Sequence, residues 1–434
     1  MKYEKIPSEL FKLNRQRFMA QMRPNSIAIF QSNDLMPRSG DTTFTFRQNA
    51  DLFYLSGLDQ EETVLVLFPN CPKGKSFEEV VFTRATNDYI RVWEGYKYTR
   101  EQAAEISGVA NVLWTDAIPS ILNELILLAD TVYLNPNEND RAHHGTDDKN
   151  TAYAKSFPKQ YPSHTILRSQ PILKGLRMIK SQHEIAQIQK ACDITEKAFR
   201  AVLAETKVGQ NEYEVEALIT YHYLKNGASG HAYNPIVASG ENACILHYND
   251  NCRPLKNGDV LLLDVGAEYA NYAADLSRSI PVNGRFSPRQ RQVYDAVLRV
   301  KNFAETLLVV GNQIDAYHKE VGHFMESELI GLGLLTAEQV KHQHPNAPAY
   351  KKYFPHGTSH HLGLDVHDLC NRYEIFQAGM IYTCEPGIYI PEEGIGIRLE
   401  DDILLTADGN INLMKNIPIH PEEIEELMNA HVVA

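Results

Sequence analysis

Asp264, Asp275, Glu385 and Glu400 fall into two pairs, and each pair sits in apolar, strand-like sequence. VLLLDVG (260–266) carries one charge inside a buried-looking run, and AEYANYAADLSRSI returns after it. An unpaired aspartate in such a strand costs on the order of several kcal/mol. An antiparallel hairpin that sets Asp264 opposite Asp275 centres its turn between Tyr269 and Ala270, without the favoured Asn-Gly chemistry. IYTCEPGIYIPEEGIGIRLEDDILL repeats the pattern. Glu385 opposite Glu400 centres that turn between Glu392 and Glu393, with Gly394 in a favourable last position. Cross-strand partners lie about 4.5–5.5 Å apart at Cβ. Carboxylates so close repel and raise each other's pKa unless a cation lies between them. Arg398, two residues before Glu400, shares its face and is suited to a bidentate bond with a carboxylate.

Histidines supply the remaining chemistry. HGTSHHLGLDVHD contains His356, His360, His361 and His367, and SGENACILHYND contains His247. Gly-Thr-Ser between His356 and His360 argues for a loop, and Gly357 and Gly363 for close backbone approach. One imidazole as a metal ligand, with the others in proton transfer and orientation, suits groups that titrate near working pH. Four carboxylates and His360 make an oxygen-rich five-ligand set whose charge balances two divalent cations. Hard ions such as Mn²⁺ suit it best, while Co²⁺ and Zn²⁺ stay open. Solvated strand charges would explain one such residue more easily than two matched pairs.

The elements that position these residues belong to a 434-residue chain, long enough for two domains. Apolar runs at 26–30, 63–68 and 77–83 read as strands and 116–129 as a helix, an α/β pattern. SQPILKGLR (169–177) reads as a break, so the boundary is placed near 173–175. Ser181 and Glu184 then form a capping box, and helices are expected over 182–204, 212–226, 288–310 and 313–333. A net charge of −13 argues against a nucleic-acid surface. Cys71, Cys192, Cys244, Cys252, Cys370 and Cys384 form no C-x-x-C pair and are expected reduced. MKYEKIPSELFKLNRQRF has no apolar core of a signal peptide, and no stretch reaches the roughly 18 apolar residues of a membrane span. A cytoplasmic protein with no membrane contact is expected.

The order Asp264, Asp275, His360, Glu385, Glu400 resembles the dinuclear site of the pita-bread metallopeptidases, which include methionine aminopeptidase, prolidase and aminopeptidase P. SGENACILHY, HHLGLDVHD and CEPGIYI are similar to aminopeptidase P, as is FTFRQNADLFYLSGLDQEETVLVLF near the N-terminus. His361 departs from the pattern, since relatives often carry an apolar or aromatic residue there. The resemblance covers nearly the whole chain. It implies an α/β N-terminal domain of aminopeptidase P type over 1–173 and an α+β pita-bread catalytic domain over 174–434. Asp275 and Glu400 would bridge two metals, Asp264 would complete one site, and His360 with Glu385 the other. His247 and His367 would surround substrate and tetrahedral intermediate, with His356 at the pocket. Arg398 would orient a carboxylate, and Glu385 would pass a proton to the leaving nitrogen. Tyr389 is a pocket candidate or a packed strand aromatic.

The implied reaction is release of the first residue from peptides with proline second, by a hydroxide shared between the metals. Peptides are thus the expected partners, and a homo-oligomer, dimer or tetramer, is expected from the family. A prolidase restricted to Xaa-Pro dipeptides is the nearest alternative. A non-catalytic pita-bread binding protein, or a metal-free hydrolase like creatinase, should show broken ligands, and all five are present.

Overall fold

The computed structural model describes residues 3–139, 141 and 145–430. The chain divides into two compact units, one of residues 3–177 and one from Met178 onward. The first is built on a six-stranded sheet of β1 (Ser26–Gln31), β2 (Val64–Leu67), β3 (Glu79–Thr83), β4 (Asn111–Trp114), β5 (Thr131–Leu134) and β6 (Thr165–Arg168). Their spatial order is β4-β3-β2-β1-β5-β6. The central pairs β1–β2 and β2–β3 are antiparallel, and the remaining pairs are parallel. Ile29, Val66, Phe82 and Val132 from four strands meet in one core with Leu122, Leu125 and Ile126.

Those last three come from the stretch expected as one helix at 116–129. It is instead a tight turn over Thr115–Ala117, a wide turn over Ile118–Leu122 and a short α-helix over Asn123–Leu128. Pro119 lacks an N–H and cannot continue a regular hydrogen-bond ladder. SQPILKGLR, expected as a break, is a helix over Gln170–Met178. Its proline sits in the first turn, where the missing N–H has no partner to lose. Arg177 closes that helix on Asp51 at 2.7 Å, and Asp51 also accepts from Gln170 and Asn135.

The second unit begins with α1 (Gln182–Glu205), started by the Ser181–Glu184 capping box, and α2 (Glu212–Lys225). Then follow β7 (Ile236–Ser239), β8 (Val260–Val265), β9 (Ala267–Tyr269), β10 (Tyr272–Ala273) and β11 (Leu276–Pro281). Helices α3 (Pro288–Leu307) and α4 (Ile314–Gly331) lead to β12 (Ile381–Cys384), β13 (Gly387–Ile390), β14 (Ile395–Arg398), β15 (Asp401–Thr406) and β16 (Gly409–Asn412). The sheets run β7-β8-β11, β12-β15-β16 and β13-β14. α1 packs on β9 and β10, and α3 packs on β12 and β14.

The first carboxylate hairpin differs from expectation by one turn position. Ala270 and Asn271 occupy the turn, with φ of 52° and 64°. Two left-handed residues suit a two-residue hairpin, because their twist matches that of the strands. The register therefore sets Asp264 opposite Ser277, not Asp275. Asp275 lies two residues before Ser277, so both aspartates still share one face. In the second hairpin Ile390 faces Ile395 and Cys384 faces Asp401, which is the register expected for Glu385 and Glu400. Pro391–Glu393 make the turn, and Gly394 closes it at φ 63°. Glu400 bridges to Ser277, which stitches the two hairpins together.

Candidate metal centre

The stitched hairpins and the 356–367 loop bring Asp275, His360 and Glu400 together, with a ligand atom from each within 4.8 Å of the others. The other two expected ligands border this cluster. Tyr233 Oη lies 2.7 Å from Asp264 Oδ1 and 2.6 Å from Asp275 Oδ1. Glu385 Oε1 lies 3.8 Å from His360 Nε2, and Asp275 Oδ2 lies 3.5 Å from the same nitrogen.

The electrostatics of this arrangement call for a cation. Burial raises the Asp264 carboxyl, Arg398 opposes the rise, and Asp275 adds to it. Burial, with help from neighbouring carboxylates, pushes Glu385 up to about 7 although His360 and Arg398 pull it down. Glu400 is pushed well above the carboxylate range by burial and then by Asp275, Glu385 and Asp264. Tyr233 has a single proton to donate between two carboxylates. His360 settles the question of fit. Its Nδ1 lies 3.0 Å from the His361 carbonyl, so Nδ1–H donates there and Nε2 is the nitrogen turned toward the carboxylates. A histidine ligand is commonly oriented in this way. Four oxygen donors and one oriented imidazole therefore fit divalent cations.

Arg398 does not clamp one carboxylate through a bidentate bond, as its position suggested. Its guanidinium spreads over Asp264 Oδ2 at 2.6 Å, Ser277 Oγ at 2.8 Å and Tyr389 Oη at 2.8 Å. Its hydrogen-bonded link to Glu400 runs through Ser277, whose hydroxyl donates to Glu400 Oε2 at 2.7 Å. Tyr389 is buried among Ile236, Ala238, Ala243, Tyr248 and Leu262. Its ring is a packed strand aromatic, while its hydroxyl lies 2.8 Å from His356 Nε2. His356 Nδ1 lies 2.7 Å from the Gly357 carbonyl. Burial, then Arg398, takes His356 down to about 3. The neutral ring thus donates from Nδ1 and accepts the Tyr389 proton at Nε2, an orienting group with both nitrogens engaged.

His367 stands edge-on to His360, with ring centroids 4.3 Å apart. His247 is exposed, and near enough to His356 to disfavour its protonation. His361 faces the other way, against the Tyr382 ring at 4.1 Å. Neither of its ring nitrogens has a hydrogen-bond partner among the described residues.

Several supporting residues had no place in the sequence reading. Tyr233 and Ser277 stand in no charged or periodic pattern. Asp401 and Asp402 were visible in the Glu-Asp-Asp run but unassigned. Asp401 pairs with Arg278 at 2.6 Å and Lys301 at 2.5 Å, and Arg278 also donates to the Glu400 carbonyl. Asp402 accepts the Asp275 backbone N–H at 3.1 Å. One pins the start of β15, next to Glu400, and the other pins the backbone of Asp275.

A model of metallopeptidase family M24 matches residues 186–407, and one of the aminopeptidase P N-terminal domain matches residues 11–133. The chain belongs to metallopeptidase family M24. It combines an aminopeptidase P N-terminal domain with the M24 pita-bread catalytic domain. Among relatives, it is 35% identical to an Xaa-Pro aminopeptidase of Haemophilus influenzae over 98% of each chain. It is 36% identical to the Xaa-Pro aminopeptidase of Escherichia coli, again over 98% of each. Among solved structures, a putative aminopeptidase P from Bacillus anthracis superposes with a TM-score of 0.90 at 34% identity, covering 98% of this chain and 99% of that one. Escherichia coli aminopeptidase P in complex with substrate gives 0.88 at 33% identity, covering 99% and 100%. As an M24 metallopeptidase, the chain is a hydrolase that depends on divalent metal.

Proposed function

We propose that this M24 metallopeptidase releases the N-terminal residue from peptides with proline in the second position. In this reading it works with two divalent cations, Mn²⁺ foremost, held by Asp264, Asp275, His360, Glu385 and Glu400. The observation that carries the proposal is the convergence of Asp275, His360 and Glu400 within 4.8 Å, with Asp264 tied to Asp275 through Tyr233. The Xaa-Pro aminopeptidase names of full-length relatives support the substrate class. A cytoplasmic location is part of the reading. It is supported by six free cysteines and by the absence, among the described residues, of a helix long and apolar enough to cross a membrane.

Divalent ions bound there supply acidification of a water and polarisation of the scissile carbonyl. The protein's own groups do the rest. Tyr233 and Arg398 hold Asp264, and Tyr233 and the Asp402 carboxylate hold Asp275. Glu400 is sealed, 2% exposed, and takes the Ser277 proton donor. The Glu385 side chain is 19% exposed, so it alone of the glutamate pair opens toward a substrate and can move a proton to the leaving nitrogen. His247 at the rim and His367 beside His360 stand where substrate polar groups would need donors. Proline's nitrogen has no N–H, so a pocket that accepts it needs no acceptor for one.

Replacing Glu400 by Gln, or Asp264 by Asn, tests this directly. Metal content by mass spectrometry and hydrolysis of an Xaa-Pro peptide should both fall, since each change removes a charged ligand. Full metal occupancy and full activity in both variants would refute the ligand set.

A further inference from the structure

Outside the metal centre, one buried glutamate organises the loop that carries His247. Glu212 is the first residue of α2 and is 0% exposed. Its Oε1 accepts from Ser239 N at 2.7 Å, Ser239 Oγ at 2.7 Å and Asn242 Nδ2 at 3.3 Å. Its Oε2 accepts from Tyr248 Oη at 2.8 Å and Arg253 N at 2.9 Å. A carboxylate offers about four lone-pair sites, so these donors saturate it. They stand at the entry, the middle and the exit of segment 239–253. The exit is tied to the same helix start, because Glu212 N donates to Arg253 O at 3.0 Å and Asn211 bridges to Pro254.

Tyr248 links this anion to the site. Its hydroxyl end is fixed on Glu212, and its ring packs in one cluster with Tyr389 and Ala243. Tyr389 Oη is the atom between Arg398 and His356. The loop also lies on β14, the strand of Arg398. A Cβ on Gly396 would meet the Ala243 carbonyl at 2.1 Å, and Cys244 Sγ donates to Ile395 O at 3.4 Å. His247 immediately precedes Tyr248, so fixing the tyrosine at both ends fixes the backbone that presents the histidine.

We propose that Glu212 is a positioning residue for His247, acting through Tyr248 and the fold of segment 239–253. This deepens the aminopeptidase reading and rests on it for what His247 does to substrate. Glu212→Gln keeps the volume but turns one acceptor oxygen into an NH₂ group among donors. Tyr248→Phe removes a single arm.

The test uses the full-length, metal-loaded protein. Glu212→Gln, Tyr248→Phe, His247→Ala and the double variant Glu212→Gln/His247→Ala are compared on an Xaa-Pro-Yaa peptide. Amide hydrogen exchange over 239–253 and metal content are followed in parallel. Glu212→Gln is expected to lower kcat by roughly tenfold or more, as befits lost hydrogen bonds to a charged group. The double variant should be no slower than His247→Ala, because the two residues act in series. Exchange over 239–253 should quicken while metal content stays at the wild-type level. Additive effects in the double variant, or unchanged exchange in Glu212→Gln, would overturn the proposal. Should Glu212→Gln fail to fold, the same comparisons with Tyr248→Phe decide it. A wild type that cleaves no Xaa-Pro peptide would sink the aminopeptidase reading instead, and the exchange data would still show whether Glu212 holds the loop.

Discussion

Tyr233 has one hydroxyl proton and two carboxylates to face, at 2.7 and 2.6 Å. It orients the aspartate pair without itself carrying charge. Tyr233→Phe is therefore expected to weaken metal binding by roughly 10- to 100-fold, the usual effect of losing a group that orients ligands. Competition against a fluorescent chelator measures this, and unchanged affinity would show that the hydroxyl orients nothing. A second residue-scale consequence concerns His318 on α4. Burial, opposed by Asp315, lowers it to about 4. Its folded pKa lies below that of the unfolded chain, near 6.5. Between those values the unfolded chain binds the proton and the folded one does not, so stability falls as pH drops from about 6.5 to about 4. Going from pH 7 to about 4.5, the wild type should lose about 2 kcal/mol more than His318→Gln in urea unfolding. Equal losses would mean that His318 protonates in place.

At the scale of elements, the two hairpins show what a pattern of strand residues can and cannot predict. The second was legible in register because Pro391 and Gly394 confine the turn to one tetrapeptide. The first was displaced because Ala270 accepts a left-handed backbone, at a cost of about 1 kcal/mol that no propensity rule anticipates. The two aspartates still share one face, since shifting the turn by one position moves the pairing by two residues and keeps each side chain on its face. The helix start set by Ser181 was readable from its capping box, whereas the helix over Gln170–Met178 was hidden by Pro171 and Gly175. The Arg398 network was beyond reach because it depends on four strands, β8, β11, β13 and β14, meeting in space. Gly266 joins β8 to β9 between the aspartates, and a Cβ there would meet the Ala274 carbonyl at 1.8 Å. Gly266→Ala is expected to destabilise the fold by about 2 kcal/mol or more, by strain in the hairpin, and to lower metal content. Gly331→Ala, at a helix position with open space, should be neutral or stabilising by up to about 1 kcal/mol. Similar thermal shifts in the two variants would show that the close approach at Gly266 is not a constraint.

For the molecule as a whole, length pointed to two domains with a boundary near 173–175, and the two compact units of the chain meet in sequence at Arg177–Met178. The M24 catalytic domain was legible because its sequence embeds carboxylates in apolar, strand-like runs, where a bland explanation is costly. The identity of the metal was not, because the same oxygen donors accept several divalent ions. Substrate length was not either, because no single motif sets it. The most direct measurement offers metal-reconstituted protein an Xaa-Pro dipeptide, an Xaa-Pro-Yaa-Zaa peptide and the same tetrapeptide with alanine for proline, with products read by mass spectrometry. The expected products are free Xaa and Pro-Yaa-Zaa from the proline tetrapeptide, with little from the alanine one and loss of cleavage on chelation. Cleavage of the dipeptide alone, or none by protein loaded with two equivalents of metal, would contradict the aminopeptidase reading.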